Sequence, residues 1–317
     1  MKEFFNKIRW VNLSIMILTM YAMRFLVVKP LLLYNGLLLQ LNELYFLMLV
    51  MATIFIAAGG YIINDYFDKK IDELNNPIKK EGETDEEEEF CCRKAMKFYN
   101  LFTIIGVALG IGVSLLINQY MFSGIFLLTA GLLWFYSSTY KRIPLLGNII
   151  VALLAALVPL LVVIFEVPLL IEKYRALFIE NDTNPFTLMY FVLGFSIFAF
   201  MLTLIREIVK DIEDVIGDKA YGKKTLAVAF GNNFATVTAG VLVVATIYFL
   251  FYYQTNFSNE KISFWYIIVL LIAPLSYVIY RLIANTTKQG MHITSMILKL
   301  IMVFGIAYSV VLYYGLK

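Results

Sequence analysis

Long uncharged runs of apolar residues dominate the chain, and short segments between them collect the charged side chains. A helix needs about 20 consecutive apolar residues to cross the hydrocarbon core of a bilayer. The uncharged stretch 98–140 is too long for one span, so we divide it at the polar pair Asn118-Gln119, which suits a tight turn. Nine spans are then predicted, near residues 10–28, 42–63, 97–117, 121–140, 145–166, 186–206, 230–252, 263–283 and 292–314. The pattern therefore predicts an all-α, polytopic membrane protein.

The composition agrees with this pattern and excludes a soluble protein. Hydrophobic residues make up 61% of the 317 residues and charged residues 15%, whereas a soluble domain carries about 25% charged residues. The apolar run after Trp10 lacks a small-residue cleavage site, so we interpret it as a first span and not as a signal peptide. We predict a single intramembrane domain over residues 1–317, with an acidic loop at about 73–95. The acidic run 81–89 in this loop is typical of a solvated linker.

The distribution of positive charge predicts how the spans are oriented. Cytoplasmic loops of membrane proteins carry an excess of Lys and Arg. The N-terminal segment and the loops after spans two, four, six and eight hold most of the 26 Lys and Arg residues. The opposite loops, including the mixed-charge segment 166–182, hold few. We therefore expect an integral protein of the cytoplasmic (plasma) membrane with its N-terminus inside.

Two groups of aspartates follow long apolar runs. Asp65, Asp68 and Asp72 are spaced i, i+3, i+7, so a continuous helix would present all three carboxylates on one face. The second group repeats this spacing and consists of Asp211, Asp214 and Asp218. The charge bias places both groups on the cytoplasmic side. Carboxylates buried there need a cation, and Mg2+ suits sparse carboxylates because it completes its shell with water and substrate phosphates.

Two acidic groups that face each other suit a diphosphate held by two or more Mg2+ ions, and a diphosphate in a membrane cavity implies a lipid tail. Cationic side chains should then neutralise the departing diphosphate. Candidates at the same edge are Lys141, Arg142, Lys210, Lys223 and Lys224, with Tyr136 and Tyr140 beside the first two. Each lysine could instead be a topology anchor. The many aromatic rings could line a prenyl tunnel or pack against lipid and neighbouring helices.

A cation transporter is the alternative from a different class. Its path should continue through the bilayer, with ionisable groups near the centres of the spans. Outside the two aspartate groups, we place only Arg24, Glu43 and Lys299 in or near spans. Acids clustered at one face favour a one-sided binding site.

These motifs together resemble the UbiA-type intramembrane prenyltransferases. Residues 64–72 read N-D-Y-F-D-K-K-I-D and match that family's N-D-x-x-D-x-x-x-D signature in full. Arg9 and Asn12 resemble the R-x-x-N that opens the first helix, and residues 136–148 resemble the Tyr/Lys segment after helix four. Residues 206–226 match the second motif in a long form, which is most similar to the geranylgeranylglyceryl-phosphate geranylgeranyltransferase branch.

The resemblance implies nine helices around a central cavity, Mg2+ dependence, and transfer of a prenyl group from a polyprenyl diphosphate to a lipophilic acceptor. It assigns the binding of the Mg2+-diphosphate groups to Asn64 and the six aspartates. Lys141 takes the place of the lysine in the family's pattern. Further expected substrate contacts are Asn12, Tyr136, Tyr140, Arg142 and Lys210. The resemblance favours geranylgeranylglyceryl phosphate, an ether lipid precursor, as acceptor, and leaves open an aromatic acceptor of quinone biosynthesis. We expect surrounding membrane lipids, no nucleic acid and no obligate protein partner.

Two positions depart from the family pattern. After Asn76-Pro77 the chain continues Ile-Lys-Lys, where family members commonly have Arg-Pro, and lysine lacks the bidentate phosphate grip of arginine. Lys141 lies five residues after Tyr136, where four is usual, and Tyr140 is directly adjacent to it. These departures leave open a prenyl-binding protein with weakened catalysis. The two aspartate groups keep the family spacing.

Overall fold

The computed structural model describes residues 8–75, 85–180, 184–257 and 260–315, and within them all side chains except those of 69–75, 85–92, 187 and 257. These ranges contain helices and no strand. The helices are α1 (Trp10–Tyr34), α2 (Glu43–Asn75), α3 (Asp85–Leu116), α4 (Ser123–Ser138), α5 (Leu146–Glu180), α6 (Thr187–Glu213), α7 (Val215–Ala220), α8 (Leu226–Phe230), α9 (Asn232–Phe257), α10 (Lys261–Ala284) and α11 (Lys288–Gly315). Within the described ranges, nine segments are long and apolar enough to span a membrane. Each overlaps one of the nine predicted spans, and several extend beyond the predicted ends. The predicted all-α membrane fold is confirmed.

The division of the long uncharged stretch also falls where the polar pair predicted it. Helix α3 ends at Leu116, and Asn118 adopts a left-handed backbone with φ 58°, a conformation that asparagine tolerates better than most residues. The amide of Gln119 donates to the carbonyl of Ser114 at 2.9 Å and closes the turn. The chain can therefore reverse direction between the third and fourth spans.

The loop predicted at 73–95 is shorter than expected. Helix α2 continues to Asn75 and α3 already begins at Asp85, so both helices extend beyond their apolar segments. Residues 76–84, which include Lys79 and Lys80, lie outside the described part of the chain.

The chain divides into two compact units. The first comprises Met1–Ile17, Asn42–Ile150 and Asp214–Thr225, and the second comprises Leu18–Leu41, Val151–Glu213 and Leu226–Lys317. The first acidic group belongs entirely to the first unit. The second group is divided, since Asp211 lies in the second unit and Asp214 and Asp218 lie in the first.

Small residues let the helices of the first unit approach closely, as is usual in membranes. A Cβ added to Gly106 of α3 would lie 2.9 Å from the amide nitrogen of Ile56 on α2, and 3.0 Å from the carbonyl oxygen of Ala52. Farther along α3, the ring of Phe126 from α4 occupies the place where a side chain of Gly110 would stand. The contact at Gly106 holds α2 against α3, and the contact at Gly110 holds α3 against α4. The first of these supports the helix that carries the first acidic group.

Aromatic rings fill comparable helix contacts in the second unit. The ring of Phe198 lies where a Cβ of Gly305 would stand, and the ring of Tyr253 does the same at Gly194. These four residues help to line one apolar pocket together with Tyr308. At this pocket, two of the aromatic side chains, Phe198 and Tyr253, pack on glycines of neighbouring helices.

The second unit also contains a buried ion pair that the sequence did not predict. Glu166 was expected at the outer end of span five, at the start of a mixed-charge segment outside the membrane. Instead α5 continues to Glu180, and Glu166 is fully buried, with its carboxylate 3.5 Å from Arg24 Nη1. The expectation that only Arg24, Glu43 and Lys299 are ionisable groups in spans was wrong, because Glu166 also lies inside one.

Both members of this ion pair also form hydrogen bonds with the connection between α1 and α2. Arg24 Nη2 donates to the carbonyl of Leu41 at 2.5 Å. The amides of Gln40 and Leu41 donate to the carboxylate of Glu166. Three backbone groups of the connection are therefore satisfied by this ion pair, as an apolar surrounding requires.

Candidate active site

Asp65 and Asp68 of the first acidic group lie on one face of α2, and both are paired with cations. Asp68 Oδ1 lies 2.7 Å from Lys141 Nζ and 3.1 Å from Lys223 Nζ. Asp65 Oδ1, one turn earlier, accepts a hydrogen bond of 3.0 Å from Arg9 Nη2. Asp72 lies on the same helix, but its side chain is outside the described residues. The predicted helix across this motif is thus present, and it brings Asp65 and Asp68 onto the same face.

Lys141 reaches this face from a short 3-10 turn, Tyr140–Arg142, that follows α4. Gly147 packs directly on the turn, since an added Cβ would lie 2.7 Å from Lys141 Cα. The ammonium group also donates to Asn64 Oδ1 at 3.4 Å. Asn64, Asp68 and Lys141, which the sequence placed at one site, therefore converge.

The second acidic group is not on one continuous helix. Helix α6 ends at Glu213, Asp214 has the non-helical angles φ −100° and ψ 9°, and α7 begins at Val215. The i, i+3, i+7 spacing therefore does not place this group on a single helical face. Asp218 lies on α7 with its side chain 5% exposed, and its Oδ1 is 3.1 Å from Lys223 Nζ.

Lys223 owes its position to the turn after α7. Gly222 adopts φ 69°, a left-handed conformation that glycine takes without steric cost. The amide of Lys223 then donates to the carbonyl of Asp218 at 2.9 Å, which closes the end of the helix. The side chain turns back between Asp68 and Asp218. One ammonium group thus joins Asp68 of the first acidic group to Asp218 of the second.

Burial and charge act in opposite directions on the groups outside the spans. Burial lowers the pKa of the Lys141 ammonium, and the carboxylate of Asp68 offsets only part of this effect. Burial raises the pKa of the Asp218 carboxyl, and Lys223 offsets part of that rise. Burial alone would lower the pKa of Lys223, but the carboxylates of Asp68 and Asp218 outweigh it and hold that pKa above its usual value. Two carboxylates act on Lys223, whereas Lys141 is paired with Asp68 alone among the causes of its pKa shift.

Arg9 is a site residue whose contact the sequence did not reveal. In the sequence it stands out only through the R-x-x-N resemblance, yet its guanidinium pairs with Asp65 and lies 5.2 Å from the ring centre of Tyr61. Its backbone is left-handed, with φ 51°, and its carbonyl accepts from the amide of Asn12 at 2.8 Å. Asn12 therefore lies at the start of α1, where it supports the turn that carries Arg9.

The remaining predicted substrate contacts lie on α4, on the turn that follows it and on α6. The Tyr140 ring packs against Phe135, with ring centres 6.0 Å apart, and Arg142 is exposed. Tyr136 lies near the end of α4, half-buried. Lys210 and Asp211 lie on α6 in the second unit. Their contact with substrate stays a prediction.

The donor set of this site fits Mg2+. The available oxygens are the amide of Asn64 and the carboxylates of Asp65, Asp68 and Asp218, which are the hard ligands that Mg2+ prefers. Among the described side chains, no three acidic, histidine or cysteine groups form a cage for a metal. Mg2+ is usually held by one or two carboxylates together with substrate phosphates, so this sparse arrangement suits a metal that arrives with a phosphorylated substrate.

Comparison with known proteins shows the family to which the chain belongs. Residues 25–304 match the UbiA prenyltransferase family. The chain is 32% identical over 255 residues to digeranylgeranylglyceryl phosphate synthase of Methanosphaera stadtmanae, covering 78% of this chain and 80% of that protein. It is also 32% identical over 248 residues to the synthase of Thermococcus gammatolerans, covering 76% of each.

Solved structures share the fold. A structure described as that of digeranylgeranylglyceryl phosphate synthase in membranes matches with a TM-score of 0.65 and 22% identity, over 99% of this chain and 98% of that one. A UbiA homolog from Archaeoglobus fulgidus bound to GPP and Mg2+ matches with a TM-score of 0.57 and 18% identity, over 96% of this chain and 98% of that one. With the nine spans and the family match over most of the chain, these findings show that the protein is an integral membrane prenyltransferase of the UbiA family.

Proposed function

We propose that this prenyltransferase transfers the prenyl group of a polyprenyl diphosphate to geranylgeranylglyceryl phosphate, with Mg2+ as cofactor. The donor class is supported by the pairing of Asp68 and Asp218, one from each acidic group, with buried lysines, an arrangement suited to an anion of high charge. The names of the relatives support the acceptor, because their product contains two geranylgeranyl groups on one glyceryl phosphate.

The observation that carries the acceptor assignment is a pair of exposed cations next to the site. Each buried lysine is followed by an exposed cationic residue, Arg142 after Lys141 and Lys224 after Lys223. The amide of Lys224 donates to the carbonyl of Arg142 at 3.2 Å, so the two segments run side by side. An acceptor that carries its own phosphate needs positive charge beyond that used for the diphosphate, and these two residues supply it. An uncharged aromatic acceptor would need none.

In the proposed reaction, the bond between the allylic carbon and the diphosphate oxygen breaks, and the diphosphate leaves with the electron pair. The ammonium groups of Lys141 and Lys223 stabilise the negative charge that develops on it. Mg2+ held by oxygens of the acidic groups would add positive charge beside the leaving diphosphate. The acceptor hydroxyl oxygen then forms the ether bond to the allylic carbon. Its proton passes to a carboxylate of one of the acidic groups.

Burial of the site protects the reacting carbon. The side chains of Lys141 and Asp218 are only 6% and 5% exposed. Restricted access of water matters, because water would otherwise convert the allylic carbon to the prenol.

We further propose that the chain acts as one domain, with its N-terminus inside and the site on the cytoplasmic side, as the distribution of Lys and Arg favours.

The acceptor is tested by offering three acceptors side by side. Purified protein in lipid bilayers receives radiolabelled geranylgeranyl diphosphate with Mg2+ and geranylgeranylglyceryl phosphate, a hydroxybenzoate or a naphthoate. We expect labelled product only, or predominantly, with the glyceryl phosphate, and none when the metal is chelated. Transfer to an aromatic acid with none to the glyceryl phosphate would contradict the acceptor assignment and leave the prenyltransferase activity intact.

A second prediction concerns the exposed cations. Arg142→Gln and Lys224→Gln are each expected to raise KM for the glyceryl phosphate acceptor several-fold and to change kcat less, because they bind the headgroup equally before and during the reaction. The measurement is steady-state kinetics with varied acceptor at saturating donor. Lys219→Gln, an exposed lysine on α7, serves as the matched control and should leave KM unchanged. A loss confined to kcat would contradict a role in headgroup binding.

A further inference from the structure

Lys223 makes an unusual pair of contacts in the candidate active site. Its ammonium nitrogen lies 3.1 Å from Asp68 Oδ1 and 3.1 Å from Asp218 Oδ1. The same oxygen of Asp68 is also 2.7 Å from the ammonium of Lys141. Two carboxylates that are expected to meet a metal are therefore already neutralised by side chains of the protein itself.

This arrangement opposes the binding of a metal ion by itself. A cation that approached Asp68 would have to displace at least one ammonium group from its oxygen. The displaced ammonium would then lie in a largely buried place, without a counter-ion and close to a divalent cation. Burial of an unpaired charge and repulsion between like charges are both unfavourable.

A diphosphate removes both obstacles. Its oxygens accept hydrogen bonds from a lysine that has left the carboxylates, and they also complete the coordination of Mg2+. The lysine then exchanges one anionic partner for another and is never left unpaired. Binding of the metal and binding of the diphosphate should consequently favour each other, and such a coupling is reciprocal.

We propose that Lys223 is an internal counter-ion that couples the two binding events: it holds Asp68 and Asp218 in the metal-free protein and moves to the diphosphate when substrate and metal bind. This inference rests on the proposed diphosphate and Mg2+ chemistry and adds the order in which the site fills. In the resting enzyme Asp68 and Asp218 stay closed to free Mg2+. They open when the diphosphate is present.

The test measures metal binding without catalysis. Mn2+ serves as a spectroscopic substitute for Mg2+, and electron paramagnetic resonance determines the bound fraction for purified protein without substrate. We expect wild type to bind Mn2+ weakly and Lys223→Gln to bind it about tenfold more tightly, because no ammonium has to be displaced. Lys219→Gln should behave like wild type, since Lys219 is exposed and lies one residue from Asp218.

Inorganic diphosphate provides the second arm, with a protein-free titration to subtract the metal that it binds in solution. We expect it to tighten Mn2+ binding to wild type by about tenfold or more, and to have a much smaller effect on Lys223→Gln. Lys223→Arg, which keeps the charge, should retain weak binding of the metal alone.

Two results would overturn the proposal. If Lys223→Gln binds the metal alone as weakly as wild type, or more weakly, Lys223 merely holds the two acidic groups in place. If wild type binds Mn2+ equally well with and without diphosphate, there is no coupling, and this measurement needs no variant. Either result leaves the prenyltransferase assignment standing, because transfer to the acceptor is measured separately.

Discussion

Asp68→Asn is expected to lower the rate of prenyl transfer by about a hundredfold or more. The substitution keeps the size of the side chain and removes the charge that holds Lys141 at 2.7 Å and Lys223 at 3.1 Å. Loss of one well-placed electrostatic group at a reacting centre commonly costs about two to three orders of magnitude in rate. The measurement is transfer of radiolabelled prenyl diphosphate to acceptor by equal amounts of purified, folded protein. We expect Asp214→Asn to cause a comparable loss.

The control for this prediction is Glu180→Gln, which removes an exposed carboxylate at the end of α5 and should leave the rate within about twofold. Thermal unfolding in detergent shows whether Asp68→Asn is folded. If Asp68→Asn retained nearly full activity, the assignment of the first acidic group to the diphosphate would be wrong. If Asp68→Asn loses activity because it unfolds, the partner of Asp68 is replaced instead. Lys141→Gln should then impair transfer in a folded protein.

Glu166→Gln is expected to destabilise the second unit strongly. Arg24 and Glu166 are each 1% exposed, so the substitution leaves a buried guanidinium without its carboxylate. Removing one partner of a buried ion pair costs about 3–5 kcal/mol. The free energy of unfolding, measured with denaturant in detergent micelles, should fall by that amount. Glu172→Gln, an exposed carboxylate on the same helix, should change it by less than about 0.5 kcal/mol.

A double variant separates the ion pair from simple packing. Replacing both Arg24 and Glu166 with methionine removes both charges, and apolar residues in place of a buried pair are often tolerated. We therefore expect the double variant to be more stable than Glu166→Gln, despite the hydrogen bonds lost by Gln40 and Leu41. If it is less stable, the hydrogen bonds to the connection contribute more than the pairing of charges.

Much of the fold was predictable because the bilayer imposes a simple rule. Each span must be apolar over about 20 residues and must satisfy its own backbone hydrogen bonds, so hydropathy alone predicts helices and their number. Even the turn between the third and fourth spans followed from two polar residues, Asn118 and Gln119. The position of Glu166 did not follow. A charge marks the end of a span only when nothing inside the protein pairs with it, and its partner is Arg24, 142 residues away.

The candidate active site was likewise predictable from the sequence only in part. Helical spacing placed Asp65 and Asp68 on one face of α2, because that relation depends only on the 3.6-residue turn. The family resemblance then indicated Lys141. The same spacing failed for the second acidic group, since α6 ends before Asp214, and a local break in a helix cannot be read from the distances between acids. The contact of Arg9 with Asp65 and the bridge from Lys223 to Asp68 and Asp218 join segments far apart in the chain. The sequence by itself determined the helices and the residues that carry charge, whereas only the tertiary structure decided which charges neutralise each other, because pairing depends on how the helices and turns pack.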